Sequence, residues 1–267
     1  QITCINNAIS QGVDAIAIAA NDADALQPAL TEAKNSGIHV LALDSATNAA
    51  SREVFCNQAG ITQVGETLME AVKDISGGEG KWAILSAAST ATNQNAWIDS
   101  MKSVMEGSDY AGLELVGVYY GDDEYQKSVD QTDAILAENP DVKVICAPTT
   151  VGIMAAAKVV EDKGLAGSVK VTGLGLPSEM ADYIGTTDSD ACPYMFLWNP
   201  IDLGRLAGYT AIALVNGVIT GAEGDSYTAP DGTTYEVTAA SDGGTEIILG
   251  PPFGFNPDNI EEWKTVY

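Results

Sequence analysis

Residues 15–44, AIAIAANDADALQPALTEAKNSGIHVLALD, contain the alternation of patterns that decides the fold. An apolar run at 15–20 precedes an amphipathic stretch from residue 24 to about residue 36, and a second apolar run fills 39–44. Short apolar strands joined by helices of about ten or more residues are typical of parallel sheets covered on both faces. The stretch therefore predicts a strand–helix–strand unit of an α/β protein.

The same alternation continues along most of the chain. Apolar runs predict further strands at 54–57, 82–87, 113–120, 142–147, 169–174 and 192–198. After Gly217 the sequence becomes rich in Gly, Asp and Thr, which indicates a short antiparallel addition. A chain of 267 residues exceeds the size at which a single core usually stops growing, so we predict two doubly wound parallel-sheet lobes.

Composition limits the classes of partner. The chain has 37 acidic and 12 basic residues, which gives a formal net charge of -25. This charge repels phosphate backbones, so the sequence predicts no binding to nucleic acid. The sequence contains no run of about 18 apolar residues, so no segment is predicted to span a membrane.

Residue types that carry catalysis or bind metals are sparse. His39, the only histidine, starts a predicted strand and is interpreted as structural. The four cysteines lack C-x-x-C spacing, and a disulfide between Cys4 and Cys56 is left open. The glycines at 173–175 follow a strand but lack the third glycine of a dinucleotide loop. The sequence therefore predicts a protein that is not an enzyme, with no catalytic residue, no cofactor and no metal.

Polar side chains follow almost every predicted strand, at the ends where open α/β sheets bind ligands. They are mostly amides and hydroxyls, namely Asn21, Asp22, Asp44, Ser45, Asn57, Gln58, Thr92, Asn93, Gln94, Asn95, Thr149, Thr150 and Asn199. Such groups suit polyhydroxylated ligands, and Trp97 and Trp198 offer apolar faces to a ring. Each polar residue alone is more typical of a helix cap or a turn, but together they predict a site for a sugar-like ligand.

Several motifs resemble the type I periplasmic-binding-protein family, in the branch of the Lsr-type autoinducer-2 receptors and the rhamnose-binding proteins. The likeness runs nearly end to end and is carried by INN and QGVDAI within 5–16, LDS at 43–45, NQ at 57–58, TNQNAW at 92–97, APTT at 147–150, LWNP at 197–200 and LGPP at 249–252. It implies the substrate-binding component of a bacterial ABC importer, which encloses its ligand in the cleft between two lobes by hinge closure. It also implies a membrane ABC permease as partner, and we expect a monomer.

The resemblance also implies ligand-binding residues. The autoinducer-2 receptors hold their ligand, a quorum-sensing signal, with a lysine, an aspartate, an Asp-Gln pair and a Pro-x-Ala turn. Asp44 matches the aspartate, Asn93 replaces the Asp of the pair, and Thr150 replaces the alanine. The lysine has no counterpart. The expected ligand-binding residues are Asp44, Asn93, Gln94, Pro148, Thr149, Thr150 and Trp198, with Asp44 and Gln94 facing each other across the cleft.

Lobe boundaries follow from the same resemblance. We expect residues 1–57 and 199–225 to form the first lobe, and residues 58–198 and 226–267 to form the second. Hinge crossings are expected near 57–59, near 197–200 and after 217. The first strand, first helix and second strand of the family have no counterpart in this sequence. We therefore expect a first lobe that is incomplete at its N-terminus.

The sequence leaves alternatives for the ligand and for the functional class of the protein. Autoinducer-2 is the favoured ligand, and rhamnose or a related monosaccharide is the alternative. The effector domain of a sugar-responsive transcription regulator is a second alternative, which the charge of -25 disfavours. A sugar-processing enzyme is a third, but the acidic residues 122–124 are interpreted as a solvated loop and helix cap. The expected location is extracytoplasmic, in the periplasm or as a surface lipoprotein of a Gram-positive bacterium.

Overall fold

The structure is a computed structural model that describes all residues, Gln1–Tyr267. Its helices are α1 (Ile2–Gln11), α2 (Ala23–Asn35), α3 (Ile61–Ser76), α4 (Thr92–Met105), α5 (Tyr125–Glu138), α6 (Thr150–Asp162), α7 (Pro177–Met180), α8 (Pro200–Val215) and α9 (Ile260–Trp263). Its strands are β1 (Ala15–Ile18), β2 (His39–Leu43), β3 (Val54–Asn57), β4 (Gly80–Ser86), β5 (Leu113–Tyr120), β6 (Val142–Ala147), β7 (Lys170–Gly173), β8 (Met195–Leu197), β9 (Ser226–Thr228), β10 (Thr234–Glu236), β11 (Thr238–Ala239), β12 (Thr245–Ile248) and β13 (Phe253–Phe255). Short 3-10 turns occur at Ala49–Ser51, Ser108–Tyr110 and Ala181–Tyr183.

The chain divides into two compact units. The first unit comprises Gln1–Gly60, Thr90–Asn93 and Asn199–Pro251. The second unit comprises Ile61–Ser89, Gln94–Trp198 and Pro252–Tyr267. Each unit contains its own parallel sheet, which confirms the predicted α/β class. None of the helices combines the length and the hydropathy needed to cross a bilayer.

The first unit is built on a five-stranded sheet in the order β1-β2-β3-β12-β11. The first four strands are parallel, and β11 pairs antiparallel with β12. Apolar side chains of β1, α2 and β2, among them Ile18, Leu30 and Val40, are buried in one cluster because their spacing points them inward. Helix α2 begins at Asp22, whose carboxylate caps it, and the chain leaves it through Gly37 at φ +80°.

The second unit is built on a four-stranded parallel sheet in the order β5-β4-β6-β7. Its strands are apolar along most of their length, and Trp82, Ile84 and Ile145 are fully buried. Helix α3 packs against β6 and β7, and α5 packs against β4 and β5. Strands β8 and β13 form a separate antiparallel pair, which Leu174 joins to the end of β7 through a bridge to Phe196.

The observed boundary of the units differs from the predicted lobe boundary at residues 226–251. The prediction put these residues in the second lobe with a crossing after 217, whereas the first unit extends to Pro251. The physical reason is strand pairing. β12 lies parallel to β3 with Ile247 beside Cys56, and Leu249 N–H donates to the Asn57 carbonyl at 2.8 Å. Only 252–267 join the second unit.

The cysteines are free, so the disulfide left open between Cys4 and Cys56 is not formed. Cys4 is exposed, whereas Cys56 and Cys146 are buried in the two sheets. Burial raises the pKa of the Cys56 and Cys146 thiols to about 12, because the thiolate is disfavoured away from water. Both thiols are therefore inert at neutral pH.

Candidate functional site

Asp44 is the most distinctive polar residue of the first unit. It follows β2 directly, and its backbone has φ +59°, a left-handed conformation that few residues other than glycine adopt. Its side chain is half-buried and makes no hydrogen bond or ion pair within the protein, and desolvation raises the pKa of its carboxyl group. A partly desolvated carboxylate without donors is unfavourable, so the site is suited to a ligand that supplies hydroxyl donors.

The backbone next to Asp44 is held by hydrogen bonds to other segments of the first unit. Ser45 Oγ lies 3.2 Å from Thr92 Oγ1, and Thr92 Oγ1 donates to the Ala46 carbonyl at 3.2 Å. The Ser45 carbonyl accepts from Ala20 N–H at 3.1 Å, which joins the ends of β1 and β2. Asp44 is thus fixed at the carboxyl edge of the sheet, where parallel sheets bind ligands.

Asn57 ends β3 and Gln58 follows it, at the same edge of the sheet. Asn57 Nδ2 donates to Glu246 Oε2 of β12 at 2.8 Å, so this amide is used to join two strands. Burial raises the pKa of the Glu246 carboxyl, and the bond from Asn57 opposes that shift. The side-chain amide of Gln58 is 0% exposed and has no hydrogen-bond partner on either its oxygen or its nitrogen. Such an amide costs about 1–3 kcal/mol of stability.

Two other polar residues of this edge are helix caps. Asp22 Oδ1 accepts from the backbone N–H groups of residues 24 and 25 at 3.1 and 3.0 Å. Asn199 Oδ1 accepts from the N–H groups of residues 201 and 202 at 2.9 and 3.4 Å, at the start of α8. The cap interpretation therefore explains these residues without a ligand.

In the second unit, Gln94 joins helix α4 to strand β4. Its Oε1 accepts from Ser86 Oγ at 2.6 Å and from Ala87 N–H at 2.7 Å. Both donors belong to the carboxyl end of β4, and Gln94 itself is buried. The side-chain oxygen of Gln94 is therefore already committed to two bonds within this unit.

Three expected site residues follow β6 in sequence. Pro148 is buried, Thr149 precedes α6 as its N-cap residue, and Thr150 begins the helix. The Thr149 hydroxyl donates to Asp123 Oδ1, whereas the Thr150 hydroxyl accepts from Leu176 N–H at 3.2 Å. These contacts join the loops after β5, β6 and β7 at one edge of the sheet.

Trp198 lies immediately after β8 and packs on Trp97 of α4. The two indole rings have centroids 5.6 Å apart and an interplanar angle of 52°. Both residues are buried, so the rings form an apolar wall with little free surface.

The structure therefore brings four of the expected residues to one edge of the second sheet. Gln94, Pro148, Thr149 and Thr150 share the carboxyl edge of β5-β4-β6-β7, and Asp44 lies at the corresponding edge in the first unit. Asn93 belongs to the first unit, which includes the short segment Thr90–Asn93. The expectation that Asp44 and Gln94 face each other across a cleft stays a prediction, and so does the ligand role of each residue.

Sequence reasoning missed two carboxylates of these edges. Asp123 has φ +53° and accepts the bond from Thr149, although its Gly-Asp-Asp-Glu setting had indicated only a solvated loop. Glu246 reaches Asn57 from a strand 189 positions further along the chain, so no local pattern could reveal the contact. A run of two aspartates after a strand is the one signal that pointed toward Asp123.

Groups that carry catalysis are not assembled at these edges. His39 is the first residue of β2, so it lies at the opposite end of that strand from Asp44. Its Nδ1 lies 2.9 Å from Glu53 Oε2. No group of three or more His, Cys, Asp or Glu side chains is placed to hold a metal ion. The chemistry that the edges do offer is hydrogen bonding through amides, hydroxyls and the carboxylates of Asp44, Asp123 and Glu246.

Comparisons with known proteins identify relatives among sugar-binding proteins. A family model described as a periplasmic binding protein domain matches residues 1–218. A D-ribose/D-allose-binding protein of Pseudomonas aeruginosa is 32% identical over 182 residues, which make up 65% of this chain and 55% of that protein. The matched segment thus spans about half the length of this curated relative.

Two solved structures match nearly the whole chain. An ABC transporter solute-binding protein from Clostridium phytofermentas, solved with bound L-rhamnose, is 72% identical with a TM-score of 0.98, over 100% of this chain and 85% of that one. LsrB from Clostridium saccharobutylicum, solved in complex with AI-2, is 23% identical with a TM-score of 0.89, and the match covers 98% of this chain and 86% of that one. At that identity the second match shows the fold alone. The relatives are binding proteins of transporters rather than enzymes, in agreement with the prediction that this chain is not an enzyme.

Proposed function

Because the chain belongs to the periplasmic binding protein family, we propose that it is the substrate-binding component of a sugar ABC importer. The observation that carries this proposal is Asp44, a half-buried carboxylate held at a sheet edge without a donor from the protein. A neutral polyol supplies the missing donors and brings no charge of its own, so it suits this position.

L-rhamnose is the ligand that we propose first. The 72% identical solute-binding protein was solved with this sugar, which is a much closer relationship than the 23% identity to the AI-2 complex. L-rhamnose is a neutral 6-deoxy sugar, and its hydroxyls supply the donors that the Asp44 carboxylate lacks within the protein. This order reverses the preference for autoinducer-2 that the motifs alone had favoured.

Autoinducer-2 is the second candidate. Asp44, Gln94 and Pro148 match the motif of its receptors, and this match is the observation in its favour. Two features weaken it. Asn93 replaces an aspartate and adds a donor, and Thr150 replaces a small alanine. The hydroxyl of Thr150 is moreover engaged by Leu176 N–H.

The remaining parts of the proposal concern partners and place. We propose that a membrane ABC permease receives the sugar from this protein, and that enclosure of the sugar by hinge closure produces the state the permease recognises. The periplasmic binding protein family is extracytoplasmic, and we propose the periplasm or the surface of a Gram-positive cell for this member. A monomer and the absence of nucleic-acid binding are part of the same proposal.

Mass spectrometry of small molecules released from the purified, denatured protein tests the function without assuming a ligand. We expect a deoxyhexose in about one-to-one ratio with the chain after growth on L-rhamnose, since site binding is stoichiometric. Release of a phosphorylated sugar or a nucleotide would contradict the proposal. So would steady consumption of L-rhamnose by the protein, since a binding component turns over nothing.

A further inference from the structure

The loop between β2 and β3, which begins with Asp44, is held largely through its backbone carbonyl oxygens. The Ala50 carbonyl accepts from Lys34 Nζ at 3.0 Å, in addition to the bond from Thr92 to Ala46. The Thr47 carbonyl, three residues after Asp44, accepts a bond from Nη1 of Arg52. Each bond fixes the orientation of one peptide unit, so these side chains determine the path of the backbone that carries Asp44.

Arg52 is a buried cation that forms its ion pair with Asp242, while its charge also acts on the carboxylate of Glu246. Its side chain is 1% exposed, and Nη2 donates to Oδ1 and Oδ2 of Asp242 at 2.9 and 2.8 Å. The guanidinium also lies 5.6 Å from the centre of the Phe55 ring. Arginine does not lose its proton in proteins, so a buried guanidinium depends on its partner carboxylate to stay in place.

The turn that carries Asp242 is shaped to meet Arg52. It joins β11 to β12, with Gly243 at φ +82° and Gly244 N–H donating to Asp242 Oδ1 at 3.0 Å. A Cβ atom added to Gly244 would lie 2.9 Å from Arg52 Nη2 and 3.0 Å from Ala49 Cβ. A side chain at this position would therefore push the guanidinium or the turn away from its observed place, and glycine leaves the close approach undisturbed.

We infer that Arg52 and Asp242 are a positioning pair for the ligand-binding carboxylate of Asp44. The pair does not touch Asp44; it acts through the Thr47 carbonyl, which Arg52 holds while Asp242 holds Arg52. A turn 190 positions away in sequence thereby sets the backbone geometry of the site. The inference rests on the proposed function, since it gives the pair a role in sugar affinity.

The first test compares two single variants in calorimetric titrations with L-rhamnose. Asp242→Asn keeps the size of the side chain but removes the charge that holds Arg52, so we expect affinity to fall about tenfold. Asp202→Asn is the matched control, because Asp202 forms an exposed ion pair with Arg205 at 2.8 Å elsewhere in the first unit. The control should bind within about twofold of the wild type. Equal affinity of Asp242→Asn and wild type would overturn the inference.

A double-mutant cycle separates positioning from general stabilisation. If the pair acts through Asp44, Asp242→Asn should change affinity by less than about twofold when Asp44 is already asparagine. A purely structural role predicts the same tenfold loss in both backgrounds, and that result would contradict the inference. Because L-rhamnose is very soluble, weak variants are titrated at high sugar concentration.

Hydrogen–deuterium exchange gives a readout that needs no sugar. In the ligand-free chain we expect Asp242→Asn to accelerate amide exchange at 45–51 by about tenfold, and Asp202→Asn to leave it unchanged. If the wild type binds no L-rhamnose, the proposed ligand fails and this measurement alone decides the inference. Unchanged exchange at 45–51 in Asp242→Asn would then overturn it.

Discussion

Asp44 combines two properties that the fold alone does not favour. Its backbone is left-handed at φ +59°, and its carboxylate is half-buried without a partner in the protein, so desolvation raises its pKa. Residues held in such states are concentrated at binding and catalytic sites, where the surrounding structure maintains them. The bond from Asp44 N–H to the Cys56 carbonyl at 3.2 Å and the contacts of Ser45 supply that support here.

Replacing Asp44 by asparagine tests its role as an acceptor. Asparagine tolerates the left-handed backbone and keeps one acceptor oxygen, but it removes the second acceptor and the charge. We expect Asp44→Asn to weaken L-rhamnose binding by about 1–3 kcal/mol, measured by calorimetry. Wild-type affinity in this variant would remove Asp44 from the site.

The raised pKa of Asp44 predicts a pH dependence of stability. Between the ordinary value of 3.8 and the raised folded-state pKa, the folded protein holds a proton that the unfolded chain has released. The resulting stabilisation is present below pH 3.8 and is lost as the pH rises through the folded-state pKa. We therefore expect ligand-free Asp44→Asn to be more stable than wild type at neutral pH.

Urea denaturation at neutral pH and near about pH 4 measures this difference. The advantage of Asp44→Asn should shrink on acidification, because protonation removes the buried charge from the wild type as well. The same stability difference at both pH values would show that the Asp44 carboxylate is not disfavoured by burial.

Thr150 is expected to matter for stability more than for ligand binding. Its hydroxyl accepts from Leu176 N–H, and Thr150→Ala leaves that amide without its partner. We expect a loss of about 0.5–1.5 kcal/mol in the free energy of unfolding, with little change in L-rhamnose affinity. Thr3→Ala, at an exposed position of α1, is the control and should change neither quantity. A large affinity loss with unchanged stability would place the Thr150 hydroxyl on the sugar.

The pairing of β6 with β7 depends on Gly173. This residue has φ +146°, and a Cβ atom there would lie 1.9 Å from the Ala147 carbonyl oxygen. We expect Gly173→Ala to lower the free energy of unfolding by more than about 3 kcal/mol in chemical denaturation. Gly164→Ala is the control, since Gly164 is left-handed at φ +66° with nothing within 4 Å. That change should cost about 1–2 kcal/mol, and equal losses in both variants would contradict the steric account.

Strand β12 shows where sequence patterns stop being informative. The bounds of β3, β5 and β6 were predictable because each is a dense apolar run between turn residues. Residues 245–248 read instead as part of an antiparallel hairpin, which is how β12 pairs with β11. Its second, parallel partner β3 lies about 190 residues away, and local periodicity carries no information on such a pairing. The observed division into units differs from the predicted lobe boundary for this reason.

The candidate site follows the same division between local and distant information. The positions of Asp44, Thr149 and Trp198 after strands β2, β6 and β8 were predictable, because each follows an apolar run, while their ligand roles stay predictions. Their supporting contacts were not predictable. The bonds from Arg52 to Asp242 and from Asn57 to Glu246 join residues 190 and 189 positions apart. No motif or spacing in the sequence indicates which acidic residue meets which strand.

The charge of the whole molecule agrees with a neutral ligand. The chain carries a formal net charge of -25, and its candidate edges present amides, hydroxyls and carboxylates rather than lysine or arginine. An anionic sugar would approach a surface of the same sign and meet the half-buried carboxylate of Asp44. We therefore expect L-rhamnose to bind and a phosphorylated form of the same sugar to bind far more weakly.

Isothermal titration of L-rhamnose into the purified chain tests the central claim most directly. We predict saturable binding of about one sugar per chain, a higher midpoint of thermal unfolding in its presence, and weakened binding in Asp44→Asn. Absence of saturable binding, in a sample that unfolds cooperatively and therefore is folded, would contradict the assignment of this sugar. If D-ribose, D-allose and autoinducer-2 also failed to bind that sample, the sugar-binding function itself would be refuted.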